Sequence, residues 1–317
     1  MFEPRHREPV NPAATAEARD LLARIQATAG THVLSGQHNT PRERSAYSDQ
    51  AAELTGHYPA VWGQDFGFAA DGDMDGVSFR QAVIDEAIEQ HRAGSIVTLM
   101  WHAVRPTENE PVTFDGSICA GPLPQADWDD LLTEGTATHA RWVAQVDTIA
   151  AFLIQLREAR VPVLWRPYHE MNGSWFWWGG RDGDAGYTAL YRQLHERLVT
   201  GHRLDNLLWV WNANAPRADA AAYAGFYPGH DVVDVLAADV YANDYRQSHH
   251  DELVALADGR PVALGEVGVL PTPQTLEQQR QWAWFMTWTD LLTRENDPAH
   301  VRRLFDSHRV RHRIFLG

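Results

Sequence analysis

The sequence predicts an α/β protein folded as a (β/α)8 TIM barrel, and three observations carry that expectation. Short apolar runs of strand length alternate about eight times with longer helical patterns, the signature of a parallel sheet wound with helices. Polar or aromatic residues cluster just after each run, as they do where strand ends surround an active mouth. No low-complexity segment, linker or strong repeat breaks the 317 residues. The chain therefore reads as a single catalytic domain over 1–317, a length that α/β barrels reach as one unit.

The expected strands, in order, are HVLS (32–35), AVWGQ (60–64), SIVTLM (95–100), VPVLWR (161–166), LLWVW (207–211), VLAAD (235–239), PVALG (261–265) and WFMT (284–287). The expected helices are 13–28, 79–92, 140–160, 186–198, 249–258 and 298–307. The residues that follow the strands are Gln37 and His38, Asp65, Trp101 and His102, His169 and Glu170, Asn212, Asp239 and Tyr241, Glu266, and Trp288. Any one of them is accounted for as a cap or loop residue. Eight strand ends turning such groups toward one mouth is the joint pattern that points to a site.

Composition narrows the function. Formal net charge is −15 with a pI near 5.4, which argues against nucleic acid or an anionic membrane as partner and fits a neutral substrate. All 27 basic residues are Arg, which excludes a Lys Schiff base or a P-loop Lys. Cys119 is the single cysteine, so neither a disulfide within the chain nor a cysteine metal cluster is expected. The hydrophobic fraction of 44% is ample for a large core, and thirteen Trp exceed what core filling is expected to need. No apolar run approaches the length of a membrane span. The N-terminal stretch MFEPRHREPVNPAATAEARD carries no signal-peptide apolar region, the expectation for either a cytoplasmic protein or a mature fragment.

The stretch Trp165–Gly180, WRPYHEMNGSWFWWGG, concentrates the chemistry. It sets Arg166, His169 and Glu170 directly before Trp175, Trp177 and Trp178. Sugars offer flat C–H faces to aromatic rings and hydroxyls to charged groups, so a carboxylic acid beside tryptophans is the equipment of a carbohydrate site. Buried charges are expensive unless paired or used. A second carboxylate, Glu266 in ALGEVG, sits between Gly265 and Gly268, small neighbours that let a ligand approach. The fourth and seventh strands lie nearly across the mouth of an eight-stranded barrel, so the fold can bring Glu170 and Glu266 together. Leu164, Arg166, Tyr168 and Glu170 share one strand parity unless a bulge follows Pro167.

WRPYHEMNGSWFWWGG and ALGEVG together resemble glycoside hydrolase family 26, whose best-known members are β-mannanases. The likeness extends over most of the chain through LSGQH, MWH, ADVYANDY and FMTW, in the order of the strand ends. The resemblance implies a retaining, endo-acting enzyme on a (β/α)8 barrel, with Glu170 as acid/base and Glu266 as nucleophile. It implies that His169 precedes the acid/base and that Arg166 lies near the nucleophile. It places Trp175 on the wall of the cleavage site, and His102, Asp239, Tyr241 and Trp288 in substrate contact, with Trp288 as a sugar floor. Met171 stands where some relatives have a polar side chain. The implied substrate is β-mannan or a manno-oligosaccharide, including glucomannan or galactomannan, with no cofactor and no metal. Two other readings stand beside it: a relative acting on mixed-linkage β-glucan or β-1,3-xylan, and a carbohydrate-binding barrel without turnover.

The remaining motifs are discounted. DGDMDG (71–76) opens like an EF-hand loop, but Ala82 stands where a bidentate Glu is required. His169-Glu170 opens like HExxH, but position 173 is Gly. His249 and His250 read as a surface helix start. Beside the carboxylate pair, Arg166 is expected to hold Glu266 ionised and Tyr241 to donate a hydrogen bond to it.

Overall fold

The computed structural model describes residues 7–313; the first six residues of the N-terminal stretch and the last four of the expected domain lie outside the described residues. Eight strands run parallel around a closed ring: β1 (Val33–His38), β2 (Val61–Asp65), β3 (Ile96–Trp101), β4 (Val163–Pro167), β5 (Leu207–Asn214), β6 (Val235–Val240), β7 (Val262–Val267) and β8 (Trp282–Thr287). Each pairs with the next, and β1 pairs with both β8 and β2 to close the barrel. A ninth strand, β9 (Val310–Arg311), adds to β1 outside the ring.

Among the described residues, ten α-helices accompany the strands: α1 (Ala16–Thr28), α2 (Ala46–Thr55), α3 (Arg80–Arg92), α4 (Gln125–Leu132), α5 (Ala137–Glu158), α6 (Tyr187–Glu196), α7 (Gln247–Ala257), α8 (Pro273–Gln278), α9 (Leu291–Arg294) and α10 (Pro298–Phe305). Their starts follow capping chemistry. Thr15, Thr136, Thr272 and Asp297 accept hydrogen bonds from backbone N–H groups of the first turn. The helices α2, α4, α8 and α9 were not among the expected six. They are short and bury only one or two side chains each, Ser48 and Ala51 in α2 and Trp128 and Leu131 in α4, which leaves no apolar stripe to read.

Two cores result. Within the ring, Leu34, Val61, Ile96, Leu164, Leu208, Val210, Val235, Ala237, Trp284 and Met286 fill the lower barrel. Leu21, Leu22 and Ile25 of α1 join this cluster and close its base. A larger core lies between strands and helices. It absorbs ten of the thirteen tryptophans; with Trp284 in the barrel, eleven are 2% exposed or less, leaving Trp175 and Trp288. The expectation that thirteen Trp exceed core needs is thus corrected. Trp177 and Trp178 are core residues whose indole N–H groups donate to the carbonyls of Ala103 and His169, both at 2.7 Å. His249 and His250 are corrected too, since both are buried. His250 packs edge-on against Trp282 at 5.1 Å and accepts a hydrogen bond from the Gln281 N–H. Among the described residues, no helix is long and apolar enough to cross a membrane.

Candidate active site

Strand β4 delivers the first carboxylate by breaking its own alternation. Leu164 and Arg166 face inward. After Pro167 the chain turns through positive φ at Tyr168 (48°) and Glu170 (54°). Tyr168 leaves the inward set and packs fully buried in the outer core, where its hydroxyl accepts from Trp142 Nε1 at 2.9 Å. Glu170 then returns to the mouth, its N–H bonded to the Asn212 carbonyl at 2.8 Å. Such backbone conformations are costly for residues other than Gly and cluster at functional sites. Met171 is completely buried and offers nothing to a ligand.

Glu170 is held from both sides. Asn214 Nδ2 donates to Oε1 and Trp175 Nε1 donates to Oε2, each at 2.8 Å. These bonds favour the carboxylate, yet burial first and the nearby Glu266 charge second push its pKa up to about 7. Glu266 lies opposite on β7. Arg166 Nη1 is 2.7 Å from its Oε1, and the Tyr241 hydroxyl donates to its Oε2 at 2.7 Å. Burial and the Glu266 charge keep the Tyr241 phenol far above its ordinary pKa, so it remains a donor. His169 Nε2 stands 3.7 Å from Glu266 Oε1. Burial, with the neighbouring His102 and Arg166, holds His169 well below the ordinary histidine range.

Beneath this pair the barrel interior turns polar. Asp239 is fully buried, with its Oδ2 3.8 Å from Arg166 Nη1. Burial and Glu266 push its pKa well above the carboxylate range. The glycines beside Glu266 serve this packing, a correction to their reading as room for a ligand. A Cβ on Gly265 would meet Asn212 Oδ1 at 1.7 Å, and one on Gly268 would meet Glu295 Oε2 at 2.4 Å.

A cleft of about 550 Å³ opens over the pair at the C-terminal strand ends. Of the residues singled out from sequence, His38, Asp65, His102, His169, Glu170, Trp175, Tyr241, Glu266 and Trp288 line it. Arg166 and Asp239 are buried below the lining, and the strand-end residues Gln37, Trp101 and Asn212 are buried away from it. Sequence reasoning did not single out Asn214, Phe68, Phe114, Phe176, Asp75 or Arg217, which also line the cleft. Asn214 was missed because β5 runs three residues beyond its expected end. Phe176 and Asp75 fall inside stretches already noted, WRPYHEMNGSWFWWGG and the discounted DGDMDG, while Phe68, Phe114 and Arg217 have no spacing to betray them.

Histidines build one wall. His102 Nδ1 bonds Asp65 Oδ2, and Asp65 Oδ1 accepts from the N–H groups of Gly67 and His102 at 3.1 and 3.3 Å. Burial works against a charged His102, but Asp65 outweighs it and raises the imidazole above its ordinary value. His38 stacks on Trp288 with ring centroids 4.0 Å apart and neither nitrogen bonded. His169, Glu170 and Asp239 each offer one ligand atom within 4.8 Å of the others. A cation there would compete with the Arg166 guanidinium and with the bonds that already occupy both Glu170 oxygens.

A buried carboxylic acid poised near neutrality, facing a carboxylate gripped by Arg and Tyr in an aromatic cleft, defines the class of barrel enzymes that cleave glycosidic bonds. The profile described as glycosyl hydrolase family 26 matches residues 10–311, and the chain belongs to that family. It is 32% identical over 321 residues to a mannan endo-1,4-β-mannosidase of Thermothelomyces thermophilus, covering 95% of this chain and 61% of the relative. The chain spans about half of the length of the curated relatives it matches next, 45% and 48%. Among solved structures it resembles GH26A from Muricauda sp. MAR_2010_75, with TM-score 0.92, 44% identity and coverage of 97% and 99% of the two chains. It also resembles a β-mannanase from a symbiotic protist of the termite Reticulitermes speratus, complexed with gluco-manno-oligosaccharide, with TM-score 0.83, 28% identity and 96% coverage of both chains.

Proposed function

We propose that the chain is a single catalytic domain that cleaves internal β-1,4-mannosidic bonds of mannan, glucomannan or galactomannan with retention. The observation that carries this reading is the asymmetry of the carboxyl pair. Glu170 is raised to about 7 by burial and by Glu266, whereas Glu266 is ion-paired with Arg166 and hydrogen-bonded by Tyr241. One group is poised to give a proton and the other to attack, the division that double displacement needs.

In the first step Glu266 attacks the anomeric carbon while Glu170 protonates the departing glycosidic oxygen. In the second, Glu170 takes a proton from water, which displaces Glu266 from the sugar. Arg166 and Tyr241 position the nucleophile, and Asp239 supports Arg166 from below. Trp175 and Trp288 give the sugar apolar faces on the acid and nucleophile sides. His169, kept neutral beside Glu266, is placed to meet the axial 2-hydroxyl of mannose, and His102 adds a donor wall. The choice of mannan over other β-glycans rests on the mannanases that the chain resembles. A neutral polysaccharide suits a protein of net charge −15, which has no field to attract nucleic acid or an anionic membrane.

The test is reducing-sugar release from mannan, lichenan and β-1,3-xylan, with proton NMR of the first product. Release from mannan with the β-anomer appearing before mutarotation is expected. Preference for another glycan would overturn the substrate, and an α-anomer would overturn the assignment of roles.

A further inference from the structure

The catalytic cleft does not end at the pair. A second cavity of about 490 Å³ lies beside it and shares Phe68, Asp75 and Phe114 as a common wall. Phe114 is the exposed large hydrophobic side chain among the described residues, at 37%. A lone exposed apolar side chain carries no meaning on most surfaces. This one is held in place rather than free. Its ring meets His102 at 5.5 Å, Phe176 at 6.0 Å and Phe68 at 6.0 Å, so it stands one ring away from the histidine wall of the catalytic site.

The polar half of the annex comes from the acidic turn after β2. Asp75 ties this turn back through its carbonyl, which accepts from Phe68 N–H at 2.7 Å and Ala69 N–H at 2.8 Å. Its carboxylate, partly buried at the junction of the two cavities, receives no hydrogen bond from any described side chain, and no basic residue lines the annex. Burial and the nearby Asp65 raise the Asp75 pKa to about 6, the sign of a carboxyl kept from full solvation. A binding pocket needs apolar walls and a few convergent polar groups that fix orientation. Here the Phe114 ring and a carboxylate that no described side chain hydrogen-bonds line one cavity.

We propose that this annex, with Phe114 as platform and Asp75 as hydroxyl acceptor, is an additional subsite for one neutral pyranose of the substrate. The ring covers the C–H face of the sugar, and the carboxylate accepts from adjacent hydroxyls. Its occupant is either a further unit of the β-linked backbone or a galactosyl branch, and both present the same chemistry. The inference rests on the proposed function, because the annex can take a unit of the substrate only if the adjoining cleft binds the glycan.

The experiment is calorimetric titration in the Glu266→Ala background, with linear manno-oligosaccharides of increasing length and with galactosylated manno-oligosaccharides. Phe114→Ala and Asp75→Asn should each weaken the ligands that reach the annex roughly tenfold. The shortest ligand that binds should keep its affinity, and Phe114→Trp should retain the platform. Loss confined to the longer linear ligands identifies a backbone unit, and loss confined to galactosylated ligands identifies a branch. Unchanged affinities throughout, or an equal loss for every ligand including the shortest, would overturn the annex while leaving mannan hydrolysis by the unaltered protein intact. Failure of the unaltered protein to cleave mannan would overturn the proposed function, and binding of no mannoside at all would overturn both.

Discussion

Trp175→Phe should move the alkaline limb of activity upward. The indole N–H donates to Glu170 Oε2 at 2.8 Å, and this bond favours the ionised acid. A hydrogen bond to a charged group contributes about 1.5–3 kcal/mol, and each 1.36 kcal/mol of differential interaction corresponds to about one pH unit. Water replacing the indole recovers part of the loss, so the lower end applies, about one pH unit. The sign follows from the protonation state: weakening a bond to the carboxylate raises the pKa, so Glu170 remains protonated, and able to act as an acid, to higher pH. From about 7 in the unaltered protein, the limb of kcat/KM should therefore shift alkaline when measured on a mannotetraose substrate that needs leaving-group protonation. Loss of the indole as a sugar wall lowers kcat/KM at all pH values and does not displace the limb. Asn214→Ala removes the bond to Oε1 and should shift the limb the same way. Glu266→Gln removes a charge that raises Glu170 and should lower its pKa, read by carbon-13 NMR of the labelled carboxyl in a protein that no longer turns over. A limb that stays in place, or moves to lower pH, in both Trp175→Phe and Asn214→Ala would refute Glu170 as the acid.

The two carboxylates should also separate chemically. Glu170→Ala should still glycosylate on an aryl mannobioside, accumulate the covalent intermediate, and regain turnover with azide as a β-azide product, whereas Glu266→Ala should be inactive on polymer and aryl glycoside alike; a reactive 2-fluoro-mannoside that labels Glu170 instead of Glu266 would reverse the roles. Trp288→Ala should cost roughly tenfold in kcat/KM with an unchanged melting temperature, and full activity would exclude it as a subsite wall. Asp65→Asn removes the partner that raises His102, leaving burial to dominate. The His102 imidazole should then titrate at lower pH by NMR, and an unmoved titration would mean that Asp65 does not set its charge.

The barrel was legible because its strands are buried on both faces and read as apolar runs, and because β1 to β8 begin within two residues of where those runs begin. The long helices were legible through their apolar stripes, and Glu170 and Glu266 through motifs that carry charge into apolar surroundings. Other features depend on contacts between distant segments. No local pattern says that Trp177 and Trp178 sink into the core while Trp175 turns to the cleft, because the choice depends on the carbonyls of Ala103 and His169 as partners. The parity of β4 was ambiguous at Pro167 and was resolved by two positive-φ residues that the surrounding packing sustains. Gly265 looked like space for a ligand until Asn212, from another strand, filled it. The residue types and their order therefore determined the architecture and the reacting groups. The tertiary structure alone decided the poise of Glu170 and the walls of the cleft, because burial and charge repulsion between β4 and β7 exist only once the ring has closed.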